Sequence, residues 1–285
     1  MCSSDLPFQV QIVDLHCHSS ASDGLLPPSE VARRAAENGV NILALTDHDD
    51  LGGLADARAV SLEAGMQFIN GVEVSIEWGG LQVHVVGLNF DERDAALNAG
   101  LLSIRSGRVG RARRMSAELE KVGIAGCFEG AMRHAENPNL ISRAHFARYL
   151  VEIGVCKDVR SVFESYIVPG RPGYVEHRWA TLEESVGWIV GAGGVAVIAH
   201  PGRYKLSRAE MRQLLDEFKS VGGQAIEVVS GSHSLDNVAV FSRFAREYGF
   251  MASCGSDFHG PGESYIDLGR LAPTPQGLTP VWEAF

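Results

Sequence analysis

The sequence predicts an α/β protein built on a largely parallel sheet. Short apolar runs alternate with helical patterns along most of the 285 residues, which is the arrangement expected of strand–helix units. Several of these runs carry a histidine or a carboxylate within them or at their end. A long helical stretch in the middle of the chain interrupts the alternation and marks an insertion.

The first third of the chain contains four predicted strands and two helices. Continuous apolar character or a clear boundary identifies each of them, and Pro27-Pro28 and Gly39 give the first helix its start and its stop. The expected strands are 10–15, 41–46, 67–76 and 81–90, and the expected helices are 28–38 and 52–64.

Residues 92–169 are predicted to form an inserted helical subdomain, with helical stretches at 92–122, 129–135, 143–153 and 159–167. The α/β pattern resumes after them with helices at 182–192, 207–221 and 236–248 and strands at 194–199, 225–229 and 251–255. We therefore assign residues 1–91 and 170–285 to one body and 92–169 to the helical insert. The tail from Pro273 is expected to be loop and edge.

Composition indicates a soluble globular protein. The chain is 45% hydrophobic and 21% charged, and no apolar run approaches the roughly 18 residues of a membrane span. Residues 1–8 lack the apolar segment of a signal peptide, so a cytoplasmic location is expected. The five cysteines include no Cys-x-x-Cys pair and are interpreted as core residues in a reducing compartment.

The net charge of −10 is unevenly distributed. Residues 101–178 contain thirteen Lys/Arg against eight Asp/Glu, whereas the rest of the chain contains twelve against twenty-seven. The arginines at 105, 108, 111, 113 and 114 are typical of a solvated helix face, which is one explanation. Together with metal ligands elsewhere, they favour an anionic substrate held between cations and arginines.

Residues Asp14-Leu15-His16-Cys17-His18, followed by Ser22-Asp23-Gly24, form the first candidate site. Side chains alternate along a strand, so His16 and His18 leave its end on the same face and can hold one cation. Asp23 follows on the loop. Two ordinary histidines near a turn would give the same pattern, so the assignment depends on the rest of the chain.

Other predicted strands contribute similar residues. A single histidine in an apolar strand, such as His84, is commonly a core residue, but a recurring set at strand ends indicates an active site of the kind found in α/β barrels. The full set predicted to bind metal is His16, His18, Asp23, His48, Glu73, His84, His200, Asp257 and His259.

These residues lie in motifs that resemble the PHP (polymerase and histidinol phosphatase) family. The motifs are His-x-His with Ser-Asp-Gly, Thr46-Asp47-His48-Asp49, Gly71-Val72-Glu73, the strand histidine His84, Ala199-His200-Pro201-Gly202 and Gly255-Ser256-Asp257-Phe258-His259. The resemblance covers roughly 10–90 and 180–260. It implies a distorted (β/α)7 barrel that binds two to three divalent metals, manganese first, with iron or zinc as alternatives.

The resemblance also implies a division of the ligands. His16, His18, Glu73 and Asp257 would hold the first metal; Glu73, His84 and His200 the second; and Asp23, His48 and His259 the third. The related amidohydrolases commonly bridge two metals with a carbamylated lysine. No lysine occurs before residue 114, so Glu73 is the expected bridge.

The insert resembles one PHP subgroup more closely. The segment Ile-Ser-Arg-Ala-His-Phe-Ala-Arg-Tyr-Leu-Val at 141–151, the Pro-Gly-Arg-Pro at 169–172 and the sequence 199–204 are similar to phosphatases of nucleoside 3′,5′-bisphosphates and to 5′-to-3′ exonucleases of short RNA. The implied substrate contacts are Ser142, Arg143, His145, Arg171 and Arg203. Arg143 and Arg148 could instead be surface charges, and His145 a core residue or a further ligand.

The predicted activity is metal-assisted hydrolysis of a phosphate ester. Arg203 would neutralise charge on the phosphoryl oxygens, while Asp47, His145 or a third metal would assist the leaving group. A histidinol-phosphate-type phosphatase satisfies the same barrel motifs, and a noncatalytic nucleic-acid-binding barrel is a third reading. The expected partner is a small phosphorylated nucleotide or a short oligonucleotide, without a membrane or a stable duplex partner.

Overall fold

The computed structural model describes residues 11–285, in which seven strands form one sheet in chain order. Part of the first predicted strand, Val10, lies outside the described residues. The strands are β1 (Val13–Asp14), β2 (Ile42–Leu45), β3 (Gln67–Trp78), β4 (Leu81–Leu88), β5 (Val195–Ile198), β6 (Ala225–Ser230) and β7 (Met251–Gly255).

The sheet is parallel except around β4, which runs antiparallel to both β3 and β5. The cause lies in the turn between β3 and β4. Gly79 and Gly80 both have positive φ, 58° and 76°, as a two-residue hairpin turn of type I′ requires. A direct hairpin reverses the chain, whereas a helical crossover would have kept β4 parallel.

The two ends of the sheet meet, so the seven strands form a nearly closed barrel. The Leu15 amide donates a hydrogen bond to the Cys254 carbonyl at 3.0 Å, and Cys17 forms a bridge with Phe258. The predicted α/β class and the distorted seven-stranded barrel are thereby confirmed.

Ten α-helices accompany the strands in residues 11–285. Helices α1, α2, α8, α9 and α10 match predicted helices to within a few residues. The helices are α1 (Pro28–Glu37), α2 (Leu54–Glu63), α3 (Ala95–Arg105), α4 (Arg108–Glu120), α5 (Cys127–Arg133), α6 (Arg143–Glu152), α7 (Val159–Val162), α8 (Leu182–Gly191), α9 (Arg208–Ser220) and α10 (Leu235–Tyr248).

The helical stretch predicted from residue 92 to residue 122 is divided into α3 and α4 at Ser106 and Gly107. A Cβ atom at Gly107 would lie 2.5 Å from Cε1 of His177. The glycine therefore permits a close approach of the segment that follows the insert. Sequence periodicity alone does not reveal this contact.

The described helices between β4 and α8 contribute to two separate apolar cores. Leu97, Leu101 and Ile104 of α3 lie in the core of the barrel. A second core includes Met115 of α4 and Phe146 of α6. The division of the chain at residues 92 and 169 stays a prediction, since α3 packs with the barrel.

Within residues 11–285, no helix has both the length and the apolar character that crossing a membrane requires.

Candidate metal centre

The nine predicted metal ligands lie close together. In three groups, one nitrogen or oxygen atom from each member lies within 4.8 Å of those of all the others. The groups are His16, His18, Glu73 and Asp257; His18, Asp23, His48 and His259; and His48, Glu73 and His84.

Glu73 lies at the middle of this arrangement. Its Oε2 is 3.2 Å from Nε2 of His16, Nε2 of His18 and Nδ1 of His48. Its Oε1 is 2.8 Å from Nδ1 of His84 and 2.9 Å from Nε2 of His200. Five imidazole rings thus surround one carboxylate that is fully buried, which suits Glu73 to bridge two cations.

Several buried polar atoms in the centre have no hydrogen-bond partner among the described residues: His18 Nδ1, Asp23 Oδ1, His48 Nδ1, Glu73 Oε2 and His200 Nδ1. Leaving such atoms unpaired is costly in a protein interior. Divalent cations would satisfy some of these acceptors, and a donor set of imidazoles and carboxylates suits manganese, iron or zinc. The residues present therefore fit the expected metals.

The observed groups differ in three respects from the division that the resemblance implied. His200, expected beside Glu73 and His84, belongs to none of the three groups, although its ring contacts Glu73. His18 belongs to the group around Asp23 as well as to the group around His16. His48 approaches Glu73 in addition to Asp23. The difference arises because His18 stacks on both His48 and His259, with ring centroids 4.6 Å and 4.1 Å apart.

Protons and metal ions compete for the side chains of the metal centre. Burial opposes protonation of His16, yet Glu227, Glu73 and Asp257 hold its pKa well above the ordinary value. Burial likewise opposes ionisation of Glu73, but His84, His16 and His48 hold the pKa of its carboxyl well below the usual range. Because ligands must shed protons to bind a metal, occupancy should depend on pH.

The backbone is strained at this site. Four non-glycine residues in 11–285 have positive φ, and three belong to the ligand motifs: Asp49 at 53°, His200 at 28° and Asp257 at 55°. Such conformations persist where surrounding contacts impose them, and they are frequent at functional sites.

Three buried carboxylates support the ligands, and none was assigned this role from the sequence. Glu227 accepts a hydrogen bond from Nδ1 of His16 at 2.7 Å and another from the His200 amide. Asp14 accepts from the amides of Ser256 and Gly269 at 2.8 and 2.9 Å. Their positions on predicted strands were the available signal, since a carboxylate inside an apolar strand needs a partner.

Asp47 is the third, and the structure gives it a supporting position. Its carboxylate accepts hydrogen bonds from the Ser19 amide at 2.7 Å and from the hydroxyls of Ser19 and Ser22. Burial raises its pKa to about 6. These contacts order the loop before Asp23, and the role of Asp47 in assisting the leaving group stays a prediction.

The start of α6 contacts the metal centre. The Ser142 hydroxyl donates to Oδ2 of Asp23 at 3.1 Å, and the Ser142 amide donates to Nδ1 of His145 at 2.9 Å. Because Nδ1 accepts, the proton of neutral His145 resides on Nε2, which is left as a donor. Burial lowers the pKa of His145 to about 4.

The predicted arginines occupy three different environments. Arg143 donates to Oε1 of Gln82 at 2.8 Å, and Gln82 in turn lies 3.3 Å from Nε2 of His84. Arg203 is about half exposed and donates to Oδ2 of Asp257 at 2.7 Å. Arg171 is exposed, and its side chain makes no hydrogen bond with the described residues, so its contact with substrate stays a prediction.

Arg108 and Arg111 are almost completely buried and so differ from the solvated helix face that was one explanation of this run. Arg108 pairs with Asp49, and Arg111 donates to the Val175 carbonyl at 2.8 Å. Burial lowers the pKa of Arg111 to about 9, and the nearby charges of Arg143 and Arg108 act in the same direction. A cationic cluster thus lies beside the metal centre.

Comparison with known proteins agrees with this geometry. Residues 14–230 match the PHP domain family. The chain belongs to this family. Among the PHP proteins, a 3′,5′-nucleoside bisphosphate phosphatase of Chromobacterium violaceum is 56% identical to this chain over 270 residues. The matched region covers 95% of both chains. A 5′-3′ exoribonuclease of Haemophilus influenzae is 40% identical over 272 residues, covering 95% of this chain and 98% of the relative.

A solved structure is also similar. The amidohydrolase from Chromobacterium violaceum with bound sulfate and no metal has a TM-score of 0.93 and 56% identity, with 95% of both chains covered. The prediction of a PHP-family phosphoesterase, including the subgroup of bisphosphate phosphatases and exoribonucleases, is confirmed by these relatives.

Proposed function

We propose that this PHP protein removes the 3′-phosphate from nucleoside 3′,5′-bisphosphates. The observation that carries the proposal is the hydrogen-bonded series from Arg143 through Gln82 to His84. It places the half-buried guanidinium of Arg143 next to the metal ligands. The metal centre can then bind one phosphate of a small molecule while Arg143 binds the other. The phosphatase of Chromobacterium violaceum, 56% identical, supports the same substrate.

In this proposal the nine ligands hold two to three divalent cations, with manganese first and iron or zinc as alternatives. Cations bound there would polarise the phosphoryl oxygens and supply an activated water. Arg203, fixed against Asp257, has further N–H groups with which to hold a phosphoryl oxygen. Its partial exposure leaves the guanidinium accessible to substrate.

His145 and Arg143 have separate roles. His145 is neutral and carries its proton on Nε2, so it donates a hydrogen bond to the substrate and does not act as a base. Arg143 binds the phosphate that is not cleaved, because its fork of N–H groups matches phosphate oxygens. The charges of Arg203 and Arg108 act with burial to lower the pKa of Arg143 to about 10, and a bound phosphate would relieve that repulsion.

Trimming of short 5′-phosphorylated RNA is the second candidate function. It needs the same phosphoester chemistry, and relatives 40% identical to this chain are named 5′-3′ exoribonucleases. A cytoplasmic location is proposed with both candidates, since the four cysteines of the described residues are free.

The test is a substrate panel with metal-loaded protein. Adenosine 3′,5′-bisphosphate, histidinol phosphate and a 5′-phosphorylated RNA oligomer would be compared by kcat/KM and by identification of the product. We expect the bisphosphate to be the best substrate and to lose its 3′-phosphate. Preference for histidinol phosphate with no action on the bisphosphate would reject the proposal. Protein treated with a chelator should be inactive until manganese, iron or zinc is restored.

A further inference from the structure

A cavity with none of the nine metal ligands in its lining lies beside α3 and α4. It has a volume of about 680 Å³ and is bounded by the α3–α4 junction, residues 177–180 and α8. Small-molecule sites commonly have volumes of roughly 300 to 1,000 Å³. The cavity is therefore large enough to hold a nucleotide.

The walls of this cavity combine aromatic rings with free cations. His177, Trp179 and Trp188 provide the aromatic surface, and Arg114 and Arg178 provide exposed guanidinium groups. Within residues 11–285 neither arginine side chain forms a hydrogen bond or an ion pair. Aromatic surfaces with cations beside them are the combination by which proteins hold single-stranded nucleic acid.

One carboxylate, Glu184, also lines the cavity. It is engaged elsewhere, because its Oε2 accepts a hydrogen bond from the Thr181 amide at 2.8 Å in the capping box of α8. The arginines of the cavity thus keep their charge available for an anionic ligand.

The cavity is connected to the metal centre through Arg108. The guanidinium of Arg108 lies 5.2 Å from the centre of the Trp179 ring, and the same side chain pairs with Asp49, which follows the ligand His48. Arg111 approaches the same ring at 5.4 Å. Only the side chain of Arg108 therefore separates the Trp179 ring from the segment that carries His48 and Asp49. The buried guanidinium groups of Arg108 and Arg111 both lie next to this ring.

We propose that this cavity binds the second nucleotide of a short RNA whose first nucleotide occupies the metal centre. The base would lie against the aromatic wall, and a backbone phosphate would contact Arg114 and Arg178. This inference rests on the proposed function, in its form of RNA trimming. A nucleoside bisphosphate has no second nucleotide and would not occupy the cavity.

The test compares binding of two ligands to metal-stripped protein, in which no turnover occurs, by isothermal titration calorimetry. The ligands are a 5′-phosphorylated RNA trinucleotide and adenosine 3′,5′-bisphosphate. We expect the double variant Arg114→Ala/Arg178→Ala to bind the trinucleotide about tenfold or more weakly than the unmodified protein, with the Kd for the bisphosphate unchanged within about twofold. Arg113→Ala, on the same helix but outside the cavity, is the matched control and should alter neither Kd.

Two outcomes would overturn the inference: a trinucleotide Kd that the double variant leaves unchanged, or equal weakening for both ligands. Failure of the proposed function would be recognised by a different measurement, that of activity. In that case metal-loaded unmodified protein would not trim the 5′-phosphorylated RNA trinucleotide, whatever the two Kd values are. The arginines are exposed, so the variants are expected to fold, and their melting temperatures verify it.

Discussion

Nδ1 of His16 donates a hydrogen bond of 2.7 Å to Oε1 of Glu227, and both side chains are fully buried. The contact fixes the ring so that Nε2 faces Glu73 and Asp257. The second carboxylate oxygen of Glu227 accepts the His200 amide. One buried carboxylate therefore orients two of the proposed ligands.

Replacing Glu227 with Gln should weaken metal binding by about 10- to 100-fold, the usual cost of losing a residue that orients a ligand. The amide can still accept from His16, but its NH₂ group cannot accept from the His200 amide. Competition with a fluorescent chelator measures the affinity. Glu210→Gln, an exposed change of the same kind on α9, is the control. Equal affinities in the two variants would contradict a positioning role for Glu227.

The contact between Arg148 of α6 and Glu263 should stabilise the packing of α6 against the segment that follows β7. Two N–H groups of Arg148 donate to the carboxylate, both at 2.8 Å, and one of them also donates to the Asp23 carbonyl at 2.6 Å. Arg148→Met leaves a carboxylate that is one-fifth exposed without its partner. We expect a loss of about 2 kcal/mol, or about 4 to 8 °C in melting temperature.

The matched control for Arg148 is the exposed pair of Arg160 and Glu164 on one helical turn. Arg160→Met should change the melting temperature by no more than about 1 °C, because exposed ion pairs contribute little. A similar small change in Arg148→Met would show that α6 is held in place by other contacts. The Arg148 variant should also lose activity, since its guanidinium positions the Asp23 backbone.

The metal-binding residues could be predicted from the sequence because a strand places ligands at regular spacing and strand ends meet at one edge of a barrel. His16, His18 and Glu73 are such positions. Contacts that depend on how helices pack could not be predicted from the sequence. A surface position was one explanation that the sequence left open for Arg108 and Arg148, whereas both are buried against carboxylates from distant segments.

The fold itself was predictable to a similar extent. Alternating patterns identified the strands, but the reversal at β4, which follows from the turn at Gly79-Gly80, was not predicted. The division between α3 and α4 was missed, because it depends on the contact of Gly107 with His177, seventy residues later in the chain. Such long-range contacts leave no periodic signal in the sequence.

His145 should make the stability of the protein depend on pH between about 6.5 and 4. Its pKa falls from 6.5 to about 4 on folding because the ring is buried. The unfolded chain then binds the proton more readily, so this contribution is complete above pH 6.5 and is lost as the pH falls toward 4. The difference in pKa corresponds to about 3 kcal/mol at most.

The measurement for His145 is the melting temperature across that pH range for the unmodified protein and for His145→Gln. Glutamine can accept from the Ser142 amide but does not titrate, so other histidines contribute equally to both proteins. We expect a shallower pH dependence in the variant. Parallel curves would show that His145 keeps an ordinary pKa in the folded protein.

Arg143 should distinguish a bisphosphate from a simple phosphate ester. Its hydrogen bond to Gln82 places the guanidinium near the metal ligands but outside the three groups that can hold a metal. Arg143→Ala should lower kcat/KM for adenosine 3′,5′-bisphosphate by about 10- to 100-fold, as expected when a charge-assisted contact of about 1.5 to 3 kcal/mol is lost. A monophosphate ester, which lacks the second phosphate, should lose much less.

Two further variants separate the direct role of Arg143 from indirect effects. Gln82→Ala disturbs His84 without removing the cation, so it should lower activity on both substrates to a similar degree. Arg113→Ala removes an exposed arginine that is not among the predicted substrate contacts and should leave both activities nearly unchanged. Equal losses on the two substrates in Arg143→Ala would reject its role in binding the second phosphate, because a structural defect affects every substrate alike.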